Sequence, residues 1–307
     1  MAFLLNKNDL ALLASIGENR VLTSTQIAAI HQKRKQVTRR RLRALERAGL
    51  IHANKQAQGR SRGRPEKLIS LTETGADLLR SNLPDLEEIP NDTLTADKLR
   101  CVDHQLLLNW FRIHLTHIER IVPQLSVRFL SPISPFMMEE HTSKPNPYGQ
   151  APGGIQHSPK EFAPDGAFSI THQSNGKTLL FFLEVDMGTE SIAGIGRGPR
   201  DLRQKILNYQ HCFQASIYKR FEKILECRLD GFRLLFLTTT RGRMASISNL
   251  VLSMPPSDFI WVTATEQMLA QGLSAKIWVR GGRREAQEES ILGSELACHA
   301  PIIPPKD

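Results

Sequence analysis

Leu179-Leu180-Phe181-Phe182-Leu183-Glu184-Val185-Asp186 is the stretch on which the fold turns. Five consecutive large apolar residues suit a strand covered on both faces, and the acids that follow put charge at the rim of the sheet. Upstream, Pro164-Asp165 opens a shorter strand, Ala167 to Ile170. Between the two runs, His172-Gln173-Ser174-Asn175-Gly176-Lys177 has the composition of a hairpin connection. Three carboxylates at such an edge repel one another unless a cation lies between them, so Asp165, Glu184 and Asp186 suggest a Mg²⁺ (or Mn²⁺) site. The competing account is that Asp165 only starts the turn and that Glu184 or Asp186 pairs with a nearby arginine.

Working outward, a glycine-rich bend runs from Gly188 to Gly198. Its Gly194-x-Gly196-x-Gly198 lacks the third glycine of a dinucleotide loop, and the strand before it ends in acids, so that motif is excluded. A helix is expected from Pro199 to Phe221, with Lys205 and Tyr209 one turn apart on a shared face. Further strands are expected at Phe232 to Thr240, Phe259 to Thr263 and Ile277 to Arg280. On the other side, Leu99 to Ile121 has a long helical pattern, and Leu125 to Leu130 reads as a strand. His114 and His117 lie one turn apart on that helix, but no third metal ligand accompanies them. Residues 131–163, rich in proline and glycine, read as a flexible insertion next to the acidic rim. The whole second domain is placed at 99–285, followed by a tail at 286–307.

The first quarter has a different character. Residues 1–80 hold 16 Lys and Arg against 6 Asp and Glu, while the remainder holds 24 against 25. The excess positive charge of +9 is therefore concentrated at one end, as in a nucleic-acid-binding module joined to a neutral domain. Asn8 to Ile16 reads as an amphipathic helix. Thr23 and Gln26 form a capping box for a second helix. A third helix runs to Ala48 and ends at Gly49, with Val37, Leu42 and Leu45 expected on its buried side. Arg39, Arg43 and Arg47 recur every four residues along its exposed side, flanked by Arg40 and Arg41. Beyond it come a basic tip carrying Arg60, Arg62 and Arg64, a strand at Lys67 to Leu71, and a helix opened by Leu71-Thr72-Glu73-Thr74-Gly75. Residues 81–98, with Pro84 and Pro90 among acids, read as a linker.

Composition narrows the classes. No apolar run approaches the length of a membrane span, and Met1 to Leu5 is too short for a signal core. Cys101, Cys212, Cys227 and Cys298 are widely spaced, which suits free thiols in a reducing cytoplasm better than a disulfide frame or a zinc site.

Residues 1–80 resemble a winged helix-turn-helix domain, with "LERAGLI" and "LISLTETG" as the specific stretches. That resemblance implies double-stranded DNA as partner. Arg39, Arg40, Arg43 and Arg47 would face the major groove, with Arg60, Arg62 and Arg64 on the wing. The order of elements from Leu99 onward resembles the core of PD-(D/E)XK nucleases, a restriction-endonuclease-like mixed sheet flanked by helices. The resemblance implies that Asp165 and Glu184 are metal ligands. Position 186 departs from the pattern, being Asp where the family has Lys. Lys205 would then supply a migrated lysine, or Asp186 would join the metal shell. Lys205-x-x-x-Tyr209 stands where some members carry Gln-x-x-x-Tyr. The fold class expected is thus α+β or α/β. Across most of its length the chain is similar to the bacterial replication-relaxation family of plasmids and other mobile elements. The matching stretches include "DHQLLLNWFRIHL", "PDGAFSI" and "FFLEVDMGTES". Two functions remain open on these grounds. One is a DNA-binding accessory or regulatory protein of replication, mobilisation or transcription, working with a relaxase or replication protein and as a homodimer. The other is a Mg²⁺-dependent endonuclease or nickase targeted by its winged helix.

Overall fold

Two reciprocal caps start the first two helices. The Asn6 side chain accepts from the Asp9 amide at 3.0 Å, and the Asp9 carboxylate accepts from the Asn6 amide at 2.9 Å. These bonds open helix α1, Lys7–Asn19. Thr23 and Gln26 repeat the device for α2, Ser24–His31, as their spacing predicts. Helix α3, Lys35–Arg47, follows, and the chain turns at Gly49 with φ +72°. The computed structural model describes residues 5–55, 66–130, 164–190 and 202–302. It divides the chain into two units, the first running to Ile113 and also including Ile302, the second running from His114 to Pro301.

In the first unit, strands β2 (Ile51–Lys55) and β3 (Lys67–Leu71) pair antiparallel, and β1 (Leu22–Thr23) adds to the other side of β3. Helix α4, Glu73–Asn82, closes the group. Leu13, Ile16, Ile27, Leu45, Ile69 and Leu79 form its buried interior. On α3, Thr38, Leu42 and Leu45 are buried, whereas Val37, expected among them, is 55% exposed. Only positions three and four apart share a helical face, and Thr38, not Val37, completes the Leu42–Leu45 stripe.

Thr72 joins this unit at a single point. Its hydroxyl accepts from the Gly75 amide at 2.9 Å and donates to the Gly49 carbonyl at 2.7 Å. The Thr72 amide donates to the Leu50 carbonyl at 3.2 Å. The approach leaves no room at Gly75, where an added Cβ would lie 2.0 Å from the Leu50 carbonyl oxygen. Residues 81–98, read as a linker, are instead folded onto this unit. A 3-10 turn at Pro84–Leu86 and helix α5, Asn91–Leu94, bury Ile89 and Leu94. The Arg20 guanidinium donates to the Asp92 and Thr95 carbonyls. Two apolar anchors suffice here, too few to outweigh the acidic, proline-containing composition in sequence.

Helix α6, Val102–Ile121, leads from one unit to the next. The second unit is built on a six-stranded mixed sheet. Its strands lie in chain order: β4 (Leu125–Leu130), β5 (Gly166–His172), β6 (Thr178–Asp186), β7 (Phe232–Thr238), β8 (Ile260–Ala264) and β9 (Val279–Arg280). The β4, β5 and β6 pairs are antiparallel, β6–β7 and β7–β8 are parallel, and β9 is antiparallel to β8. Parallel neighbours require crossovers. Between β6 and β7 these include α7 (Leu202–Gln214), a 3-10 turn (Ile217–Phe221) and α8 (Glu222–Leu225); between β7 and β8 the crossover is α9 (Arg241–Leu252). Helix α10, Thr265–Gln271, follows β8. Leu180 and Phe182 of β6 and Leu234 and Phe236 of β7 pack in one cluster with Leu202, Ile206 and Tyr209 of α7 and Ile247 and Val251 of α9.

The segment from 286, expected as a tail, is also packed. Glu289 bridges to Trp278, Ile291 is buried, and the Ala300 amide donates to the Gln271 carbonyl at 2.8 Å. Backbone bonds of this kind leave no periodic trace in sequence. Residues 131–163, the Gly194–Gly198 stretch and the basic tip with Arg60, Arg62 and Arg64 lie outside the described residues. No helix among the described residues is long and apolar enough to cross a membrane.

Gly75→Ala is expected to lower stability by ~1–3 kcal/mol, because the clash is with backbone that cannot swing aside. A lower urea midpoint at unchanged slope would show this; an unaltered midpoint would show that α4 shifts freely.

Candidate functional site

Two groups of chemistry-bearing residues stand out, one in each unit. On α3, Arg39, Arg40, Arg43 and Arg47 are all exposed. Arg39 and Arg43 also line a concavity of about 230 Å³ between α3 and the β2–β3 pair, together with Glu46, Glu66 and Lys67. Arg41 is set apart from its neighbours, since its guanidinium forks onto the carboxylate of buried Asp9 on α1. Burial alone would raise the Asp9 pKa. The hydrogen bonds from Arg41 and then the Asn6 backbone outweigh it, and hold the carboxyl below its usual range. A row of guanidinium groups on a solvent face is complementary to a polyanion.

The second group lies at the rim of the six-stranded sheet. Glu184 and Asp186 are two positions apart on β6 and so share a face. Gly166 pairs with Leu183, which sets Asp165 opposite Glu184, and the Asp165 Oδ2 accepts from the Val185 amide at 2.8 Å. From α7, Tyr209 donates its hydroxyl to Glu184 Oε1 at 2.5 Å, and Lys205 Nζ donates to Glu184 Oε2 at 2.9 Å. Lys205 also reaches Glu190 Oε1 at 3.1 Å. Arg243, in the first turn of α9, forks onto Asp186 at 2.7 and 2.8 Å and donates to the Glu190 carbonyl at 2.7 Å.

The sheet rim thus brings together all five residues singled out in sequence, Asp165, Glu184, Asp186, Lys205 and Tyr209. Glu190 and Arg243 complete the group and were not foreseen. Arg243 had a readable signal: Thr240 caps a helix whose Met244, Ile247, Leu250 and Val251 recur at helical spacing.

Glu184 is almost fully buried. Burial, and then the nearby Asp165 charge, pushes its carboxyl up to about 7 against the pull of Lys205 and Tyr209. Burial works against the Lys205 ammonium, but the charge and hydrogen bond of Glu184, followed by Glu190 and Asp165, outweigh it and raise its pKa. Burial and Glu184 together raise the Tyr209 phenol well above its ordinary range, so it remains a donor. The hydrogen bond to Asp186 chiefly raises Arg243. The result is a carboxyl able to take up or release a proton near neutrality inside a fixed set of donors.

As arranged, the oxygens of Glu184 and Asp186 already accept hydrogen bonds from side chains of the protein itself. Both oxygens of Glu184 are taken by Tyr209 and Lys205, both oxygens of Asp186 by Arg243, and the Lys205 ammonium lies between Glu184 and Glu190. Among the described residues no group of three His, Cys, Asp or Glu is placed to hold a metal ion. Arg243 supplies the arginine that the competing account of the acidic edge expects beside Asp186. His114, on α6, is buried, and burial followed by the His117 charge pushes it down to about 4.

A basic helix-and-hairpin unit followed by a mixed α+β unit with an acidic, internally paired rim defines the class of chain. The replication-relaxation family profile matches residues 13–225, more than half of the sequence, and this chain belongs to that family. Comparison with curated proteins and with solved structures returns no match.

Because the folded Glu184 carboxyl binds its proton up to about pH 7, against 4.5 for an ordinary glutamate, the folded state holds more protons than the unfolded one between those values. Its contribution to stability is therefore complete below 4.5 and lost as pH rises through about 7. Urea unfolding from pH 4.5 to 8 should show the wild type losing stability relative to Glu184→Gln over that window. A pH-independent difference between the two would contradict the assignment.

Proposed function

We propose that this chain is a DNA-binding accessory protein acting in replication or mobilisation, with the first unit as the DNA-reading head. The single observation that carries the reading is the exposed row Arg39, Arg40, Arg43 and Arg47 on α3. Two features support it. The order α1, β1, α2, α3, β2, β3, α4 supports the resemblance to a winged helix-turn-helix, in which the third helix would enter the major groove. Membership of the replication-relaxation family points to the same process. Arg41, tied to Asp9, positions α3 and is not counted among the DNA contacts. The second unit serves in this reading as a scaffold or docking surface, with a relaxase or a replication protein as its proposed partner.

Replacing Arg39, Arg43 and Arg47 with Gln should weaken duplex binding and flatten its salt dependence by about 0.9 log unit per lost phosphate contact. Unchanged affinity and slope in an equilibrium titration would remove α3 from the interface.

A second reading, a metal-dependent endonuclease or nickase, is favoured by the convergence of Asp165, Glu184 and Lys205 in the order of a PD-(D/E)XK core. The engagement of Glu184 and Asp186 by Tyr209, Lys205 and Arg243 argues against it. Purified full-length protein is expected to leave supercoiled plasmid uncut in Mg²⁺ or Mn²⁺. Nicking that disappears in Asp165→Ala would replace the accessory reading with the enzymatic one.

A further inference from the structure

The solvent face of α3 carries one side chain that charge does not explain. Val37 is 55% exposed, the most exposed of the large apolar side chains among the described residues. Its neighbour Thr38 fills the buried position on the helix, so Val37 contributes nothing to the interior. It stands beside exposed Gln36 and one turn before exposed Arg40, so the three form a contiguous patch. An amide, a methyl-bearing side chain and a guanidinium are the three chemistries that major-groove edges distinguish. Gln matches the adenine N6/N7 edge, Arg matches guanine O6/N7, and an apolar group matches the thymine methyl.

We infer that Val37 reads a base, packing on the 5-methyl group of a thymine in the major groove of duplex DNA. This rests on the DNA-binding reading of α3 given above. The surrounding charge selects the occupant. Exposed Arg40, one turn from Val37, and Arg47 on the same side of the helix oppose self-association through this patch and attract a polyanion, and the thymine methyl is the apolar group that a B-form polyanion presents in its major groove. The arginines then supply affinity and register, while Gln36, Val37 and Arg40 supply discrimination.

The test uses the full-length protein and a duplex enriched by it from a randomised library. Each thymine of that duplex is replaced in turn by uracil, which removes only the methyl group and preserves pairing. At one position, uracil should weaken wild-type binding about fourfold, the effect of one CH₂-sized apolar contact, without changing the salt slope. Val37→Ala, which leaves the core intact, should bind the thymine duplex with a similar loss and should no longer distinguish thymine from uracil there. Equal wild-type affinity for uracil at every position overturns the inference, as does a Val37→Ala protein that still discriminates. Salt-dependent binding with no sequence enrichment overturns base reading by Val37 while leaving DNA binding in place. Absence of any duplex binding removes both.

Discussion

A carboxylate with almost no access to water stands at the end of the central strand β6, and its desolvation organises everything around it. A charge in that setting needs a donor on each oxygen. Tyr209 and Lys205 provide the two, which fixes the rotation of α7 about its own axis, since both residues must face β6 one turn apart. Lys205 also draws in Glu190, and the Glu190 carbonyl meets Arg243, already committed to Asp186. One buried group thereby connects β6, α7, the chain just after β6, and α9. Removing either partner from such a network costs more than the bond itself, because the remaining charge is left without compensation.

Much of this was legible beforehand, for identifiable reasons. The apolar run from Leu179 to Leu183 suits a strand covered on both faces, and Leu180 to Leu183 are indeed buried in β6, the third of six strands, whereas Leu179 near its start is 44% exposed. The convergence of Asp165 on Glu184 follows from a hairpin register that the polar turn at 172–177 fixes. Helical spacing puts Lys205 and Tyr209 on one face, and the resemblance to the nuclease core is what singles that pair out. What was hidden depends on tertiary placement. Arg243 lies on a helix separated from β6 by a whole strand, and nothing local ties it to Asp186. The folding of 81–98 and of the segment after 286 relies on a few anchors and on backbone bonds, neither of which produces periodicity. Val37 is apolar by type, but its angular position on α3 falls outside the Thr38–Leu42–Leu45 stripe and leaves it at the surface.

In the first unit, the five arginines from Arg39 to Arg47 are chemically alike but structurally unequal. Asp9 is buried and holds Arg41, so one cation of the cluster secures α3 to α1 while Arg39, Arg40, Arg43 and Arg47 remain at the surface. A charge count read from sequence therefore overstates what α3 offers to a partner. The same unit concentrates its joinery on Thr72, where one hydroxyl both gives and receives a hydrogen bond. That double role explains why the stretch needs a threonine or serine there, and a residue without a side chain three positions on.

The large sheet has the same order in space as in the chain. A sheet laid down in this sequence never asks a later strand to wedge between two that have already met; each arrival finds an open edge. The widest gap between adjacent antiparallel partners falls between β4 and β5, and closure entropy rises only slowly with length, by about 0.6 kcal/mol per doubling. The architecture can therefore carry inserts of very different size at that junction and still assemble by simple accretion.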